Sequence, residues 1–160
     1  MAAVKGDRGA CDKLCSVIVR SIGRCEYCDK SLPFGDLDNS HFVGRTYSWT
    51  RTHLPNCVSS CRQCHTKHGN DPGLHARDFE RIRAGIAESL TERRNWNKKF
   101  DWAAERLRLE SIAMNLLADP DLDPDCEDKI RQYVRKAQQK GNSWSTCMPT
   151  PSVSPCSLGG

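Results

Sequence analysis

Between Cys25 and His68 the chain alternates two kinds of chemistry. Cys25-Glu26-Tyr27-Cys28 and Cys61-Arg62-Gln63-Cys64 are matched CxxC pairs, a spacing that brings both thiolates of a pair to one ion at about 2.3 Å. Two such pairs, a few tens of residues apart, have the pattern of a tetrahedral four-cysteine zinc site. Cys57 is a competing thiol, and Cys11 and Cys15 are weaker competitors. Interleaved with the cysteines come His41, Asn56 and His65, residue types that suit phosphodiester hydrolysis. A histidine with a pKa near neutrality can take a proton from water attacking phosphorus. A divalent cation offsets the charge that develops on the phosphate and on the leaving oxygen. An asparagine amide can pin a loop so that the imidazole faces the phosphate. His65 is the candidate ligand for that second ion, with Asp38 or Asn39 and His68 as further candidates. Arg45 and Arg51, with Lys67, are candidates to hold the nucleic-acid backbone, because guanidinium forks bind phosphate bidentately. Tyr47 and Trp49 suit either stacking on unpaired bases or packing against the zinc lobe.

These residues need elements to hold them. Residues 12–20 carry Leu14, Val17 and Ile18 at helical spacing, yet Val17-Ile18-Val19 favours a strand, so both remain open. Residues 39–52 read as β-hairpin material broken at Gly44. Cys61–His68 should open a short helix that Gly69-Asn70 closes. Asp71-Pro72 has the form of an N-cap followed by proline at the first helical position. Phe79, Ile82, Ile86 and Leu90 then predict one amphipathic helix over 72–90. A basic connection over 91–99 leads to a helix from Trp102 to about Leu117, and a last helix is expected over 125–139. His53 and His75 are expected to face solvent. Residues 1–10 read as a flexible start, and 141–160, rich in Ser, Pro and Gly, as a disordered tail.

At 160 residues the chain has room for one domain with an appended helical arm. A segment of about forty residues rarely buries enough apolar surface to fold without a metal or disulfides, a second reason to expect zinc. No apolar run approaches the roughly 20 residues of a membrane span, and the first residues lack an apolar signal region. A soluble protein of a reducing compartment is expected, its ten cysteines serving as ligands and free thiols. Residues 41–108 hold thirteen Lys/Arg against seven Asp/Glu, whereas 1–40 are balanced, so the positive stripe starts at the His41 segment. A polyanionic partner suits it.

The frame Asn56-x4-Cys61-x2-Cys64-His65, following a histidine in a strand, resembles the ββα-metal pattern of HNH nucleases. More narrowly, the chain resembles the NinG/Rap family of phage recombination endonucleases. The motifs are Asp12-x2-Cys15-Ser16, Gly23-Arg24-Cys25-x2-Cys28, Ser40-His41-Phe42-Val43-Gly44-Arg45, Thr50-Arg51, Asn56 and Cys61-x2-Cys64, over roughly residues 12–90. The resemblance implies an α+β fold: a small zinc-stabilised ββα-metal core over 11–71, followed by a helical arm over 72–140. It implies a metal-dependent DNA endonuclease acting on branched intermediates such as Holliday junctions and D-loops, with structural Zn2+ and catalytic Mg2+ or Mn2+. His41 would be the general base, Asn56 the orienting residue and His65 the helix ligand. Many such enzymes place Asp or His immediately before the base. Here Ser40 stands there, with Asp38 two positions further back. Two opposed cuts in a four-way junction need two sites, which suits a homodimer. The expected compartment is the cytoplasm, that of the host cell if the chain is phage-encoded. The competing readings are a zinc-dependent DNA-binding module without catalysis and an adaptor whose helices bind a protein.

Overall fold

The computed structural model describes residues 5–142, which form seven α-helices and one two-stranded antiparallel sheet, an α+β chain. The first helix, α1 (Lys5–Arg20), settles the ambiguity of residues 12–20. Its stripe of Cys11, Leu14, Cys15 and Ile18 is buried against α6 (Trp102–Leu116) and α7 (Pro124–Asn142). That burial, about 1.5–3 kcal/mol for each large side chain such as Leu14, Leu109 or Ile130, outweighs the strand preference of three β-branched residues. The helix starts at Lys5, within the stretch expected to be flexible. It ends where Gly23, at φ +71°, supplies a left-handed turn.

A turn carrying the first CxxC leads to β1 (Leu37–His41). Residues 39–52 do not form a hairpin on themselves. After β1 they make a loop and the short α2 (Ser48–Arg51), and β1 pairs instead with β2 (Cys57–Cys61). The register sets Leu37 against Cys61 and His41 against Cys57. Cys57 and Val58 are both buried, one in the α1–α6–α7 core and the next in the second core around Cys25 and Cys61, as strand alternation requires. β2 runs directly into α3 (Arg62–Asn70), as the Cys61–His68 segment predicts.

Asp71 caps α4 (Pro72–Ile82), its carboxylate accepting the Leu74 N–H at 2.9 Å. The single helix predicted over 72–90 is two: Gly85, at φ +74°, turns the chain before α5 (Ile86–Arg94). Phe79 and Leu90 nonetheless fill one core with Leu37, Val43 and Val58. Within the helical segment after residue 71, α4 and α5 complete the core beside the first CxxC while α6 and α7 enclose α1. Residues 1–4 and 143–160, including nearly all of the expected tail, lie outside the described residues. No helix among the described residues is long and apolar enough to cross a membrane.

Candidate metal centre and catalytic cleft

The zinc-type cluster is built by two local structures. Around Cys25 and Cys28 the chain closes on itself, with the Asp29 N–H on the Cys25 carbonyl (2.8 Å) and the Cys25 N–H on the Lys30 carbonyl (2.9 Å). Cys61 is both the last residue of β2 and the N-cap of α3, its Sγ accepting the Cys64 N–H at 3.4 Å. The ligand atoms of Cys25, Cys28, Cys61 and Cys64 all lie within 4.8 Å of one another. A tetrahedron with Zn–S of about 2.3 Å spaces its sulfurs by about 3.8 Å, so the four thiols fit a structural zinc ion. Burial and the neighbouring thiols push the Cys64 thiol well above its ordinary range. Four thiolates this close need a cation to ionise together. At Cys25, burial pushes the thiol up, but backbone N–H groups of Cys61, Cys28 and Tyr27 outweigh it and hold the pKa down. Those amides already point at the sulfur, as they would at a bound thiolate.

The residues inside the first CxxC tie the cluster to its surroundings. Glu26 accepts the Ser59 N–H (2.8 Å) and pairs with Arg83 (2.7 Å), and the Tyr27 carbonyl accepts from Arg81 (2.7 Å). The competing thiols lie elsewhere. Cys57 and Cys15 face each other in the helical core with sulfurs 3.7 Å apart, and Cys11 is buried there too.

His41, Asp38 and His65 line a single cleft of about 290 Å³, with Asp12, Arg45, Arg51 and Arg62 around them. His41 ends β1, and its Nε2 lies 2.9 Å from the Arg51 carbonyl. A carbonyl only accepts, so Nε2 carries the hydrogen and Nδ1 keeps the lone pair. Burial, and then the charges of Arg45 and Arg51, push the His41 pKa down to about 4 against the opposing pull of the Arg51 and Asn39 carbonyls. The ring is therefore neutral near pH 7.

Asn56 fixes the Arg51 carbonyl. Its side chain is fully buried and makes three hydrogen bonds, all to the 43–50 loop. Oδ1 accepts from Val43 N–H at 2.7 Å, and Nδ2 donates to the carbonyls of Val43 and Thr50, each at 2.9 Å. Arg51 follows Thr50 directly, so the asparagine holds the group that orients His41. Two helices brace the same loop. Asp12 of α1 takes the Arg51 guanidinium in a bidentate fork at 2.7 and 2.8 Å, and Thr52 donates to Glu105 of α6 at 2.7 Å.

The Asp38 carboxylate meets His65 Nδ1 at 3.2 Å and Arg62 at 3.1 Å on its other oxygen. The Asp38–His65 contact is at hydrogen-bond distance, and among the described residues the cluster of three or more candidate metal ligands is the four-cysteine one.

Other expected site residues are engaged within this cleft or fall outside it. Arg51 lines it, but its fork is engaged by Asp12, and the exposed Arg62 is paired with Asp38, so Arg45 is the cleft arginine without a carboxylate partner among the described residues. Ser40 is buried away from the cleft, beside Tyr27, so an acid there would not replace Asp38. His68 is turned into the α3–α4 joint, where Nε2 meets Asp78 at 2.8 Å and the ring packs 4.0 Å from Tyr27. It is no partner of His65. Lys67 is exposed on α3 and does not line the cleft. His75 and His53 are half-buried rather than solvent-facing, His75 with Nε2 2.9 Å from the Tyr27 hydroxyl. Sequence reasoning missed Arg62 and the fork of Asp12, although Asp12 opens the motif Asp12-x2-Cys15-Ser16. No family model, curated protein or solved structure matches this chain.

Proposed function

We propose that this chain is a metal-dependent HNH-type endonuclease that hydrolyses phosphodiester bonds of DNA, at branched recombination intermediates. One observation carries the reading. A neutral imidazole held through Nε2 shares a cleft with a hydrogen-bonded Asp–His pair, under a rim of arginines. The ribbon-then-helix order β1–β2–α3, with Asn56 at the entry to β2, supports the ββα-metal reading, as does the resemblance to the NinG/Rap family.

In this mechanism Nδ1 of His41 accepts a proton from the water that attacks phosphorus. Arg45 and Arg62 hold the non-bridging oxygens of the phosphate, and Asn56 with Arg51 keeps the imidazole aimed. Asp38 and His65 would hold Mg2+ or Mn2+, which offsets the charge on the phosphate and on the leaving 3′ oxygen. Zinc on the four cysteines serves folding, since it joins the turn before β1 to the end of β2. The reading places the protein in the cytoplasm, and two opposed cuts in a junction call for a dimer.

A second reading, a DNA-binding module without catalysis, is favoured by Arg62, which already occupies one Asp38 oxygen and competes with a cation. Plasmid nicking with Mg2+, compared with the same protein lacking added divalent ions, decides between them. Nicking that needs Mg2+ and disappears in His41→Ala supports the enzyme. Tight DNA binding with no nicking in Mg2+ or Mn2+ supports the module and overturns the enzyme.

A further inference from the structure

Among the described residues the exposed aromatic rings are Tyr47 and Trp96; Trp96 packs on Trp49, and Tyr47 stands two residues before Trp49, under the arginine that follows the one on Trp96. Trp96 is 48% exposed and Tyr47 is 42% exposed, which leaves ring surface open to a partner. Each carries an arginine from the end of α5: Arg93 lies 4.9 Å from the Trp96 ring centre and Arg94 lies 5.5 Å from that of Tyr47. The rings are held firmly. Trp49 meets Trp96 edge-on at 5.0 Å and Phe100 at 4.9 Å, and its indole N–H donates to the Lys98 carbonyl at 2.7 Å. Arg93 Nε in turn donates to the Trp49 carbonyl at 2.7 Å.

Beside Trp96 runs a groove of about 510 Å³ floored by Trp49 and walled by Asn95, Asn97 and Lys98. From Arg93 to Phe100 the chain reads Arg-Arg-Asn-Trp-Asn-Lys-Lys-Phe, with four cations and no carboxylate. Glu92 and Asp101 bound it, and the Asp101 carboxylate is engaged in capping α6. Aromatic faces, amide side chains and cations without acids form a surface complementary to bases and phosphates together. A protein partner would not require that charge pattern.

We propose that this face is a stacking platform for an unpaired DNA strand, with Trp96 as the principal ring and Tyr47 as the second. The proposal rests on the nuclease reading for its choice of DNA, and it specifies which DNA feature the cleft works beside. Arg45 lines the cleft and Tyr47 stands two residues on, at most about 7 Å of chain. One strand thus passes from the platform to His41, and duplex entering the cleft would place its unpaired or branched end on Trp96. The 43–50 loop that joins them is the one Asn56 holds.

The test uses the full-length protein without added divalent ions, so that no cleavage occurs. The probes are a labelled dT oligonucleotide of about 12 nucleotides, within the usual site size, and a duplex of the same length. The oligonucleotide should quench tryptophan emission of the parent protein. Trp96→Ala should weaken dT binding roughly tenfold or more while changing duplex affinity less than about twofold, and Trp96→Phe should keep most of the affinity. Thermal melts compare the folding of both variants with the parent. Unchanged dT affinity in a folded Trp96→Ala protein overturns the platform, as does equal loss for duplex and single strand. Should Trp96→Ala fail to fold, absence of quenching in the parent overturns it. Plasmid nicking is read separately. A chain that binds dT through Trp96 but never nicks loses only the nuclease reading, and one that nicks but binds dT without Trp96 loses only the platform.

Discussion

Replacing Asn56 by alanine tests the link between the fold and the cleft most directly. The side chain makes three buried hydrogen bonds, and alanine removes all of them while leaving the backbone free to keep its path. At about 1 kcal/mol net for each bond, the loss is about 3 kcal/mol. Water cannot easily replace the partners, because Val43 and Thr50 are themselves buried. The orphaned Val43 N–H and the two carbonyls therefore push the cost toward the upper side of that figure. Chemical denaturation of the zinc-loaded protein measures it, and amide exchange at Val43 reads the same event locally. Exchange there should accelerate far more than at Val17 or Ile130, which belong to the other core. Cleavage should fall as well, even in the folded fraction, because the Arg51 carbonyl is no longer held over Nε2 of His41. A destabilisation below about 1 kcal/mol, or a fully active folded variant, would refute the claim that Asn56 positions the base through the loop.

Four further outcomes follow from the proposed function and the geometry together. His41→Ala should reduce cleavage by about 10²–10⁴-fold with zinc content and DNA affinity retained, read by nicking, elemental analysis and anisotropy. One zinc ion per chain is expected by elemental analysis, and Cys64→Ser or chelation should unfold the zinc-side core, since the four sulfurs join the turn before β1 to the β2–α3 junction. Arg45→Ala should weaken DNA binding and make its salt dependence shallower by about one phosphate contact, whereas Arg51→Ala, whose guanidinium is engaged with Asp12, should lower the melting temperature more than the salt slope. His53, like His41, is pushed down to about 4, in its case chiefly by burial and then by Arg93 and Arg108. The unfolded chain thus binds more protons between about pH 6.5 and 4, and stability should fall as pH drops through that window. His53→Gln should flatten the slope relative to the parent in denaturation measured across those pH values, and an unchanged slope would assign it elsewhere.

If the nuclease reading holds, the helices after residue 100 take part in positioning the cleft. Glu105 of α6 receives the Thr52 hydroxyl, and α6 and α7 hold α1, which presents Asp12 to Arg51. Truncation after residue 100 would therefore be expected to loosen the loop around His41 as well as expose α1.

The sequence alone was sufficient for whatever is decided within a few residues. CxxC turns, the cap at Asp71, and helices α3, α6 and α7 depend on ligand spacing, side-chain-to-backbone bonds and apolar period, all local properties. The break at Gly85 was also local, but an unbroken apolar period concealed it. Only the tertiary structure decided which polar groups meet. Asp12 reaches Arg51 across 39 positions, and Asp38 rather than position 40 joins His65 across 27. His68, one turn after His65, faces inward because α4 packs against that side of α3. The residues around Trp96 read only as a basic connection until folding set them beside Tyr47 and Trp49. Periodicity and spacing say which face of an element is buried. What that face is buried against depends on elements far away in the chain, and for this protein those distant contacts orient His41, set Asp38 beside His65 and build the aromatic face.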